Sequence, residues 1–486
     1  TEESPVGMNP NFADVADNCV IDKQGRIGAR EGYTQVSTND VLGSSRGLEA
    51  VFEYTKFDGT IVVFSAGNNK IFTGTTTLSE VTLPSGYSIS ANNWKIVSFN
   101  NDVYFFQSGH NPLVSVAGST TLVVAVTGGT TAPAGNEVLA AFGRLWAGDV
   151  TGNKYTLYWS DLLNGHHWTG GTSGSLDLTT VWPTGHDEIV ALAEFNDLLV
   201  IFGKRSILLY SGASSPSTMV LADIITNIGC IARDSVQSTG TDLFFLSDTG
   251  VRSLGRVIQE KSNPIGDVSK NVRDEMMFTV NTQTNDIKSV YSPEHSFYLL
   301  FLPTSSIVYC FDTRGKLEDG SNRATTWPST KILCGDRAAD GTLYLGSIKG
   351  INKYSGYLDD TSTYTMRYYT NPLSFGDASR LKILKEINFT VIGGQGAPVT
   401  VNWGYDYTEG YTKQAVTVAN ASIAEYGISE YNVSTSEYSA TIIIDKAKAK
   451  ATGSGRVATI GLDCTINERS LSIQEVNIEA LIGRLI

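Results

Sequence analysis

The sequence predicts an all-β chain, and its composition and the spacing of its turns indicate this class. Only 17 % of the 486 residues are charged, whereas 48 are glycine and 10 % are aromatic. A profile rich in Gly, Thr, Ser, Tyr and Val and poor in Lys and Glu favours short strands joined by turns over helices. Hydrophobic residues make up 41 %, which excludes a wholly disordered chain.

One strand–turn–strand pattern recurs along residues 47–356. Its turns fall near Asp58, Asn101, Arg144, Asp197, Asp242, Ser296 and Gly341. Successive turns are about 43 to 54 residues apart, and four short antiparallel strands with their turns fill about 40–50 residues, which is one propeller blade. The pattern therefore predicts a six- or seven-bladed β-propeller. The alternatives are a string of sandwiches or a β-helix, which would repeat every 20–30 residues or less.

The residues after 356 have longer strands with clean alternation of apolar and polar side chains. Candidate strands lie at 381–393, 398–407, 438–447, 456–466 and 471–483. Together with Gly-rich turns they predict an appended C-terminal β-sandwich-like domain. The small, basic stretch 447–456 is interpreted as an exposed hairpin loop. The predicted parts are thus an N-terminal arm at 1–46 with a hairpin around Gly25, the propeller at 47–356 and a C-terminal β-rich domain at 357–486.

The charge balance and the apolar runs exclude several classes of function. Lys and Arg number 36 and Asp and Glu number 49, so the net charge is −13. This balance disfavours tight binding to nucleic-acid phosphates but suits a wall that DNA slides past without sticking. No apolar run approaches about 18 residues, so we expect no membrane insertion. The opening TEESPVGMNPN resembles no secretory signal, which predicts a cytoplasmic site of assembly.

The cysteines predict neither a disulfide scaffold nor a zinc site. They are widely spaced, odd in number and without a CxxC pair: Cys19, Cys230, Cys310, Cys334 and Cys464. Cys310 and Cys334 could lie on neighbouring strands. The simpler interpretation is buried free thiols in a reduced compartment.

Histidines and a turn motif give the nearest approach to a functional site. His166 and His167 are adjacent, and side chains at adjacent strand positions point to opposite faces, so a shared metal is not expected. His186 follows shortly after. We interpret these histidines as solvent-exposed or capping residues.

The same segment is similar to the Asp box of sialidase-type propellers, but in a shifted register. Ser160 and Asp161 are adjacent here, with Gly165 and Trp168 following. In such a box the Asp side chain caps backbone amides, so the motif stabilises a turn and does not itself indicate hydrolysis.

Paired carboxylates and aromatic runs have structural explanations. The acidic pairs are Asp359 with Asp360, Glu2 with Glu3, and Asp187 with Glu188; neighbouring acids in loops are ordinarily solvated. Asp359 and Asp360 are the acids that one could place on a channel wall. Tyr104, Phe105, Phe106 and Tyr298 have strand spacing typical of core packing. We therefore predict no catalytic, cofactor-binding or metal-ligating residues, no cofactor and no enzymatic activity.

Several phrases resemble a known family. NCVIDKQGRIGAREGY (18–33) contains a G-x-I-x-x-R-x-G-Y phrase at Gly25, Ile27, Arg30, Gly32 and Tyr33. RLWAGDVTGNKYTLYWSDLLNGHHW (144–168), DEIVALAEFNDLLVIFGKRSILLYSG (187–212) and IGCIARDSVQSTGTDLFFLSDTGVRSL (228–254) follow in the family's order. The chain is similar over most of 18–355 to the nozzle proteins, or tail tubular proteins B, of short-tailed bacteriophages, which stabilise the tail.

This resemblance implies a non-enzymatic virion protein of the phage tail. Six copies would form a ring below the head–tail adaptor protein, line the distal channel for double-stranded DNA, support tail fibres or spikes, and gate ejection. The alternative is a glycan-binding or carbohydrate-active propeller that recognises a host receptor, which would need a funnel of acids, arginines and aromatics. A secreted scaffold propeller is a third interpretation, weakened by the missing signal and the unpaired cysteines.

Overall fold

The computed structural model describes residues 12–38, 47–67, 69–89, 93–127, 130–183, 185–260, 268–284, 286–317, 319–394, 396–408, 410–418 and 444–485. The chain divides into two compact units. Unit 1 comprises Thr1–Thr34, Thr325–Pro328 and Tyr354–Ile486, and unit 2 comprises Gln35–Ala324 and Ser329–Lys353. The division into two units does not test the sequence-based domain boundaries at 46 and 356, which remain predictions.

Strands make up nearly all of the regular structure. The first are β1 (Ala13–Asp17), β2 (Cys19–Ile21), β3 (Ile27–Ala29), β4 (Tyr33–Gln35), β5 (Leu48–Thr55), β6 (Ile61–Gly67), β7 (Lys70–Thr73), β8 (Ser79–Glu80), β9 (Trp94–Phe99), β10 (Asp102–Gln107), β11 (Leu113–Val116), β12 (Val123–Val124), β13 (Val126–Thr127), β14 (Thr130–Thr131), β15 (Gly135–Ala141), β16 (Arg144–Val150), β17 (Thr156–Trp159) and β18 (Gly174–Asp177). The next are β19 (Ile189–Phe195), β20 (Leu198–Gly203), β21 (Ser206–Ser211), β22 (Val220–Thr226), β23 (Gln237–Ser238), β24 (Leu243–Ser247), β25 (Gly250–Ser253), β26 (Lys288–Ser292), β27 (Phe297–Leu302), β28 (Ile307–Lys316), β29 (Asn322–Pro328), β30 (Ile332–Arg337), β31 (Leu343–Ser347) and β32 (Gly350–Tyr354). The last are β33 (Tyr364–Thr370), β34 (Arg380–Gly393), β35 (Pro398–Tyr405), β36 (Thr412–Thr417), β37 (Ile444–Lys450), β38 (Ala458–Ile466) and β39 (Leu471–Leu485).

Helices are few and short in the described part of the chain. They are α1 (Leu254–Glu260), α2 (Arg273–Asn281) and the 3₁₀ turns Pro216–Thr218, Lys270–Val272 and Pro303–Ser305. No helix among the described residues is long and apolar enough to cross a lipid bilayer.

Unit 2 is a succession of small antiparallel sheets. In its described residues the main ones are β5–β8, β9–β12, β15–β18, β19–β22, β23–β25, β26–β28 and β30–β32, and strands within each pair in chain order. The prediction of a mostly β chain built from small, largely four-stranded sheets is confirmed.

Sequence-predicted turns join the first two strands of these sheets. Asn100 and Asn101 connect β9 to β10 with φ of 48° and 68°, the two positive values that a type I′ hairpin requires. Gly59 and Gly341 have φ of 84° and 88° in the turns β5–β6 and β30–β31. Asn and Gly tolerate this left-handed backbone, which explains why they occupy these turns.

The first strands of successive sheets lie beside one another. β5 contacts β9, β9 contacts β15, β15 contacts β19, β23 contacts β26, β26 contacts β30, and β30 contacts β5. The N–H groups of Val36 and Ser37 donate to the carbonyl of Ile351 in β32 at 2.9 and 3.2 Å. Residues from the beginning and the end of unit 2 therefore meet at the last sheet.

Unit 1 contains two sheets that share one core. Its strand orders include β1–β33–β38–β35–β36 in one sheet and β2–β3–β39–β34–β37 in the other. Side chains from both sheets, such as Val401 and Leu462 of the first and Ile387 and Phe389 of the second, are fully buried in the same cluster. The hairpin predicted around Gly25 is confirmed as β2–β3, with Cys19 paired to Ala29.

One interpretation of the sequence is wrong. The stretch 447–456 begins as the end of strand β37, not as a loop, and β37 pairs along β34 from Ile392 to Glu386. Ala447 and Ala449 are buried, whereas Lys448 between them and Lys450 after them are exposed, so the stretch alternates with the period of a strand. The predicted strand 438–447 lies partly outside the described residues.

Candidate functional site

Among the described residues of unit 2, a concentration of buried charge surrounds Asp234, which lies shortly before β23. Its Oδ2 lies 2.5 Å from Lys288 Nζ and 2.7 Å from Arg233 Nη2, and its Oδ1 lies 3.4 Å from Lys95 Nζ. Burial acts to raise the pKa of Asp234, but the three cations outweigh it and hold that pKa well below its usual range. This carboxylate therefore stays ionised. We call Asp234, Arg233, Lys288, Lys95 and Glu137 the ionic cluster.

Glu137 on β15 is the second acid of the ionic cluster. It is 1 % exposed, and its Oε1 accepts the backbone N–H of Leu192 at 3.1 Å. Its Oε2 lies 3.6 Å from Lys95 Nζ and 3.8 Å from Arg233 Nε. Burial raises the pKa of Glu137, and the neighbouring cations only partly counter this.

Arg233 connects sheets that are far apart in sequence. Its Nη1 donates to the backbone carbonyl and the side-chain oxygen of Asn136 at 2.5 and 2.8 Å. Its Nη2 donates to the Asn93 side chain and to the carbonyl of Trp94. Because Lys288 begins β26, the ionic cluster joins the starts of β9, β15 and β26 to the segment before β23. Charged side chains that are fixed by so many contacts are better suited to holding strands together than to transferring protons.

The sequence-predicted histidines are separate from one another. His166 Nε2 lies 3.0 Å from Asp102 Oδ2, whereas His167 Nδ1 lies 3.3 Å from Asp161 Oδ2. His186 packs edge-on to a tyrosine ring instead. Within the ranges that the structure describes, no group of three or more His, Cys, Asp or Glu side chains is placed to hold a metal ion.

Asp161 caps a turn, as the Asp-box interpretation predicted. Its Oδ1 accepts the backbone N–H groups of Leu162 and Thr172 at 2.9 and 3.0 Å and the Thr172 hydroxyl at 2.5 Å. These donors hold the pKa of Asp161 below its usual range. Trp168 is buried and donates its Nε1–H to the carbonyl of Gly165 at 2.8 Å. The segment is therefore a turn that is stabilised by side-chain hydrogen bonds to the backbone.

The interpretation of the acidic pairs as solvated is wrong for Asp187, whose carboxylate is buried against backbone N–H groups. Asp187 is 4 % exposed and accepts the N–H groups of Glu188, Lys204 and Arg205. Glu188 Oε2 lies 2.8 Å from Lys204 Nζ. Glu2 and Glu3 lie outside the described residues.

Asp359 forms the main ion pair of unit 1. Both of its oxygens accept from Arg30, Nη1 and Nη2, at 2.7 Å. Arg30 is 1 % exposed, and its guanidinium carbon lies 4.2 Å from the ring centre of Tyr364 and 5.4 Å from that of Trp327. A bidentate pair between aromatic faces is a rigid fastening. Asp360, the other proposed wall acid, has φ of 59°.

The predicted core aromatics and thiols are buried. Tyr104, Phe105, Phe106 and Tyr298 are each at most 1 % exposed. All five cysteines are buried thiols outside any disulfide, and burial raises the pKa of Cys230, Cys334 and Cys464 to about 12.

Sequence reasoning missed the ionic cluster. A weak signal was present, because Lys95 and Lys288 occupy the same place in two repeats, WKIV and IKSV. Asp234 and Glu137 stand in phrases without a shared pattern. Their proximity depends on how the sheets are arranged, which spacing along the chain does not give.

Comparisons with known proteins find only remote structural likenesses. No family model and no curated protein matches the chain. It is similar to the computationally designed Ika8 protein (TM-score 0.38, 12 % identity, 71 % of this chain and 97 % of that one). It is also similar to the extracellular domain of the putative one-component system BT4673 of B. thetaiotaomicron (0.43, 11 %, 80 % and 48 %) and to the WD40 β-propeller domain of Doa1 (0.38, 11 %, 66 % and 96 %). Likenesses this remote carry no argument about activity.

Proposed function

We propose that the protein is a structural subunit of a phage tail nozzle, with unit 2 as a seven-bladed β-propeller and unit 1 as a β-sandwich. The succession of small sheets, with the first strand of the last sheet beside that of the first, supports the propeller. The core that two sheets share supports the sandwich.

The observation that carries the structural role is the way the chain uses its buried charges. Arg30 is held by Asp359, Arg233 by Asp234 and two asparagines, and Asp187 by backbone amides. A catalytic site places perturbed groups where a substrate can reach them. Here the same kinds of group tie distant backbone segments together, which suits a subunit that must stay rigid under load.

The resemblance to the nozzle family is consistent with this use of charge. The residues of its phrase G-x-I-x-x-R-x-G-Y have structural roles in unit 1. Besides the Arg30 pair, a Cβ on Gly32 would lie 1.9 Å from the carbonyl oxygen of Leu358, so only glycine fits there. Tyr33 donates its N–H to that same carbonyl at 2.9 Å.

In this proposal six copies form a ring in the virion tail after assembly in the host cytoplasm. The ring binds the head–tail adaptor on one side and fibres or spikes on the other, and DNA passes between the copies. A net charge of −13 would keep phosphate from adhering. The ionic cluster, by occupying the strand starts of several sheets in unit 2, leaves the DNA path to the space between subunits.

The test is the mass of the purified protein, with negative-stain images of the same sample, alone and with adaptor protein. We expect a six-fold ring, either alone or on addition of adaptor. A protein that stays monomeric with adaptor present contradicts the proposal. Binding of the monomer to host surface polysaccharide in the same preparation would favour the glycan-recognition alternative.

A further inference from the structure

In unit 1, the sheet β2–β3–β39–β34–β37 carries a column of lysines on strand β37. On β37, Lys446, Lys448 and Lys450 are exposed, while the alternate residues Ala447 and Ala449 are buried in the core. Because side chains alternate along a strand, the three lysines point to the same, outer face. Among the strands that the structure describes, β37 stands at the edge of its sheet.

A column of acidic and amide side chains lies two strands away on β39. Glu475, Asn477 and Glu479 are exposed, while Val476 and Ile478 between them pack against the core. Strand β34 lies between β37 and β39 and contributes the middle column.

The three columns are in register. The rows are Lys446, Thr390 and Glu475; then Lys448, Asn388 and Asn477; then Lys450, Glu386 and Glu479. We call these nine residues the charged grid. Strand geometry separates its outer columns by about 10 Å and its first and last rows by about 14 Å.

Contacts within unit 1 explain only part of the charged grid. Lys448 Nζ lies 2.6 Å from Glu386 Oε2, and the hydrogen bonds from Lys448 and Asn388 lower the pKa of Glu386. Lysines on an edge strand also prevent edge-to-edge association. Neither reason applies to Glu475 and Glu479, which lie on an interior strand and face outward beyond the middle column.

We propose that the charged grid is a contact surface for a second copy of this chain. In this arrangement two copies face each other with their charged grids, related by a two-fold axis that runs parallel to the strands above Asn388. The axis places the lysine column of one copy over the acidic column of the other, and each row lies over the same row of the partner copy. Lys446 of one copy then faces Glu475 of the other, and Lys450 faces Glu479, so the operation creates four ion pairs. A two-fold axis across the strands would place lysine over lysine along the whole column. The chosen axis brings only Glu386 opposite its own copy, and Lys448 already neutralises that carboxylate, so the charge pattern favours this orientation.

An apolar row extends this surface. Ile383 of β34 is paired with Leu481 of β39, next to the row of Glu386 and Glu479, and Leu481 is 55 % exposed. A face of this size is smaller than a standard stable interface, so the association is weak and sensitive to salt. It does not depend on the proposed nozzle role.

The test measures association of the full chain by sedimentation velocity at about 0.05 M and about 1 M NaCl, up to about 100 μM protein. We expect the mass to double at low salt and the doubling to be lost at high salt. The double variants K446E/K450E and E475K/E479K should each raise the dissociation constant at least about 30-fold, because four ion pairs become repulsive. An equimolar mixture of the two variants should recover the doubling, since each then supplies the charge that the other lacks.

The matched control is K331E/K353E, which makes the same charge change at exposed lysines of unit 2 and should associate like the wild type. The proposal is overturned if the wild type does not double at low salt, if K446E/K450E doubles as well as the control, or if the mixture does not associate. The doubling is counted from whatever state the protein has at high salt, monomer or ring. The proposed ring can therefore fail without affecting this result, and the reverse also holds.

Discussion

The two units stabilise a buried arginine in different ways. In unit 1, Arg30 meets one carboxylate, Asp359, and two aromatic faces. In unit 2, Arg233 belongs to the ionic cluster, where three cations surround two acids and Lys95 keeps a quarter of its side chain exposed. A pair enclosed by rings depends on geometry, whereas a network depends on charge balance. Removing a charge should therefore cost most in unit 2, and altering the shape of the cation should cost most in unit 1.

The largest effect is expected from Asp234→Ala in unit 2. Its removal leaves Arg233 and Lys288 buried without their main counter-charge, which costs about 3–5 kcal/mol in comparable pairs. Hydrogen exchange should accelerate in β9, β15 and β26 and stay unchanged in β33. The control is Glu194→Ala, which removes an exposed carboxylate of the same unit. Equal protection in both variants would contradict a stabilising role for the ionic cluster.

The corresponding change in unit 1 is Arg30→Met. Asp359 remains about 15 % exposed, so water partly compensates, and we expect a loss of about 2–4 kcal/mol. Exchange should accelerate in β1–β3 and β33, with unit 2 unaffected. Arg30→Lys keeps the charge but not the bidentate geometry. If geometry matters as the comparison says, the lysine variant recovers less than half of the loss.

Asp336 in β30 gives unit 2 a stability that depends on pH. Burial raises the pKa of Asp336 to about 7, although its Oδ2 accepts the N–H of Glu53 at 2.9 Å. The folded state thus binds a proton that the unfolded state loses near pH 4, so stability falls as pH rises from 4 to 7. Asp336→Asn should be more stable than the wild type by about 1–3 kcal/mol at pH 8 and equal to it at pH 4. Urea unfolding at both pH values checks this, and a gain at neither pH refutes it.

The smallest effect is expected at the surface pair of Arg337 and Glu294. Arg337 lowers the pKa of Glu294 to about 2, so the pair contributes above pH 4 and is lost as pH falls toward 2. The Arg337 side chain is 39 % exposed and is screened by solvent, so Arg337→Ala should cost under about 1 kcal/mol at pH 7. Melting temperatures in low and high salt measure it. If Arg337→Ala lost as much stability as Asp234→Ala, the expected difference between a surface ion pair and the ionic cluster would be contradicted.

The sheets were easier to predict than the contacts between them. Asn100–Asn101 and Asp340–Gly341 carry local turn chemistry, so their hairpins follow from neighbouring residues alone. The second half of β37, residues 447–450, was mistaken for a loop because small residues and lysines have weak strand propensity, although their alternation indicated a strand. The ionic cluster and the pair of Arg30 with Asp359 join residues far apart in sequence. No local pattern specifies such partners.

The measurement that tests the central claim most directly is a cryo-electron microscopy reconstruction of the purified protein, alone or with adaptor protein. The account predicts a six-fold ring with a continuous lumen between subunits that is wide enough for duplex DNA. A ring without such a lumen, or particles that stay monomeric with adaptor present, would contradict it.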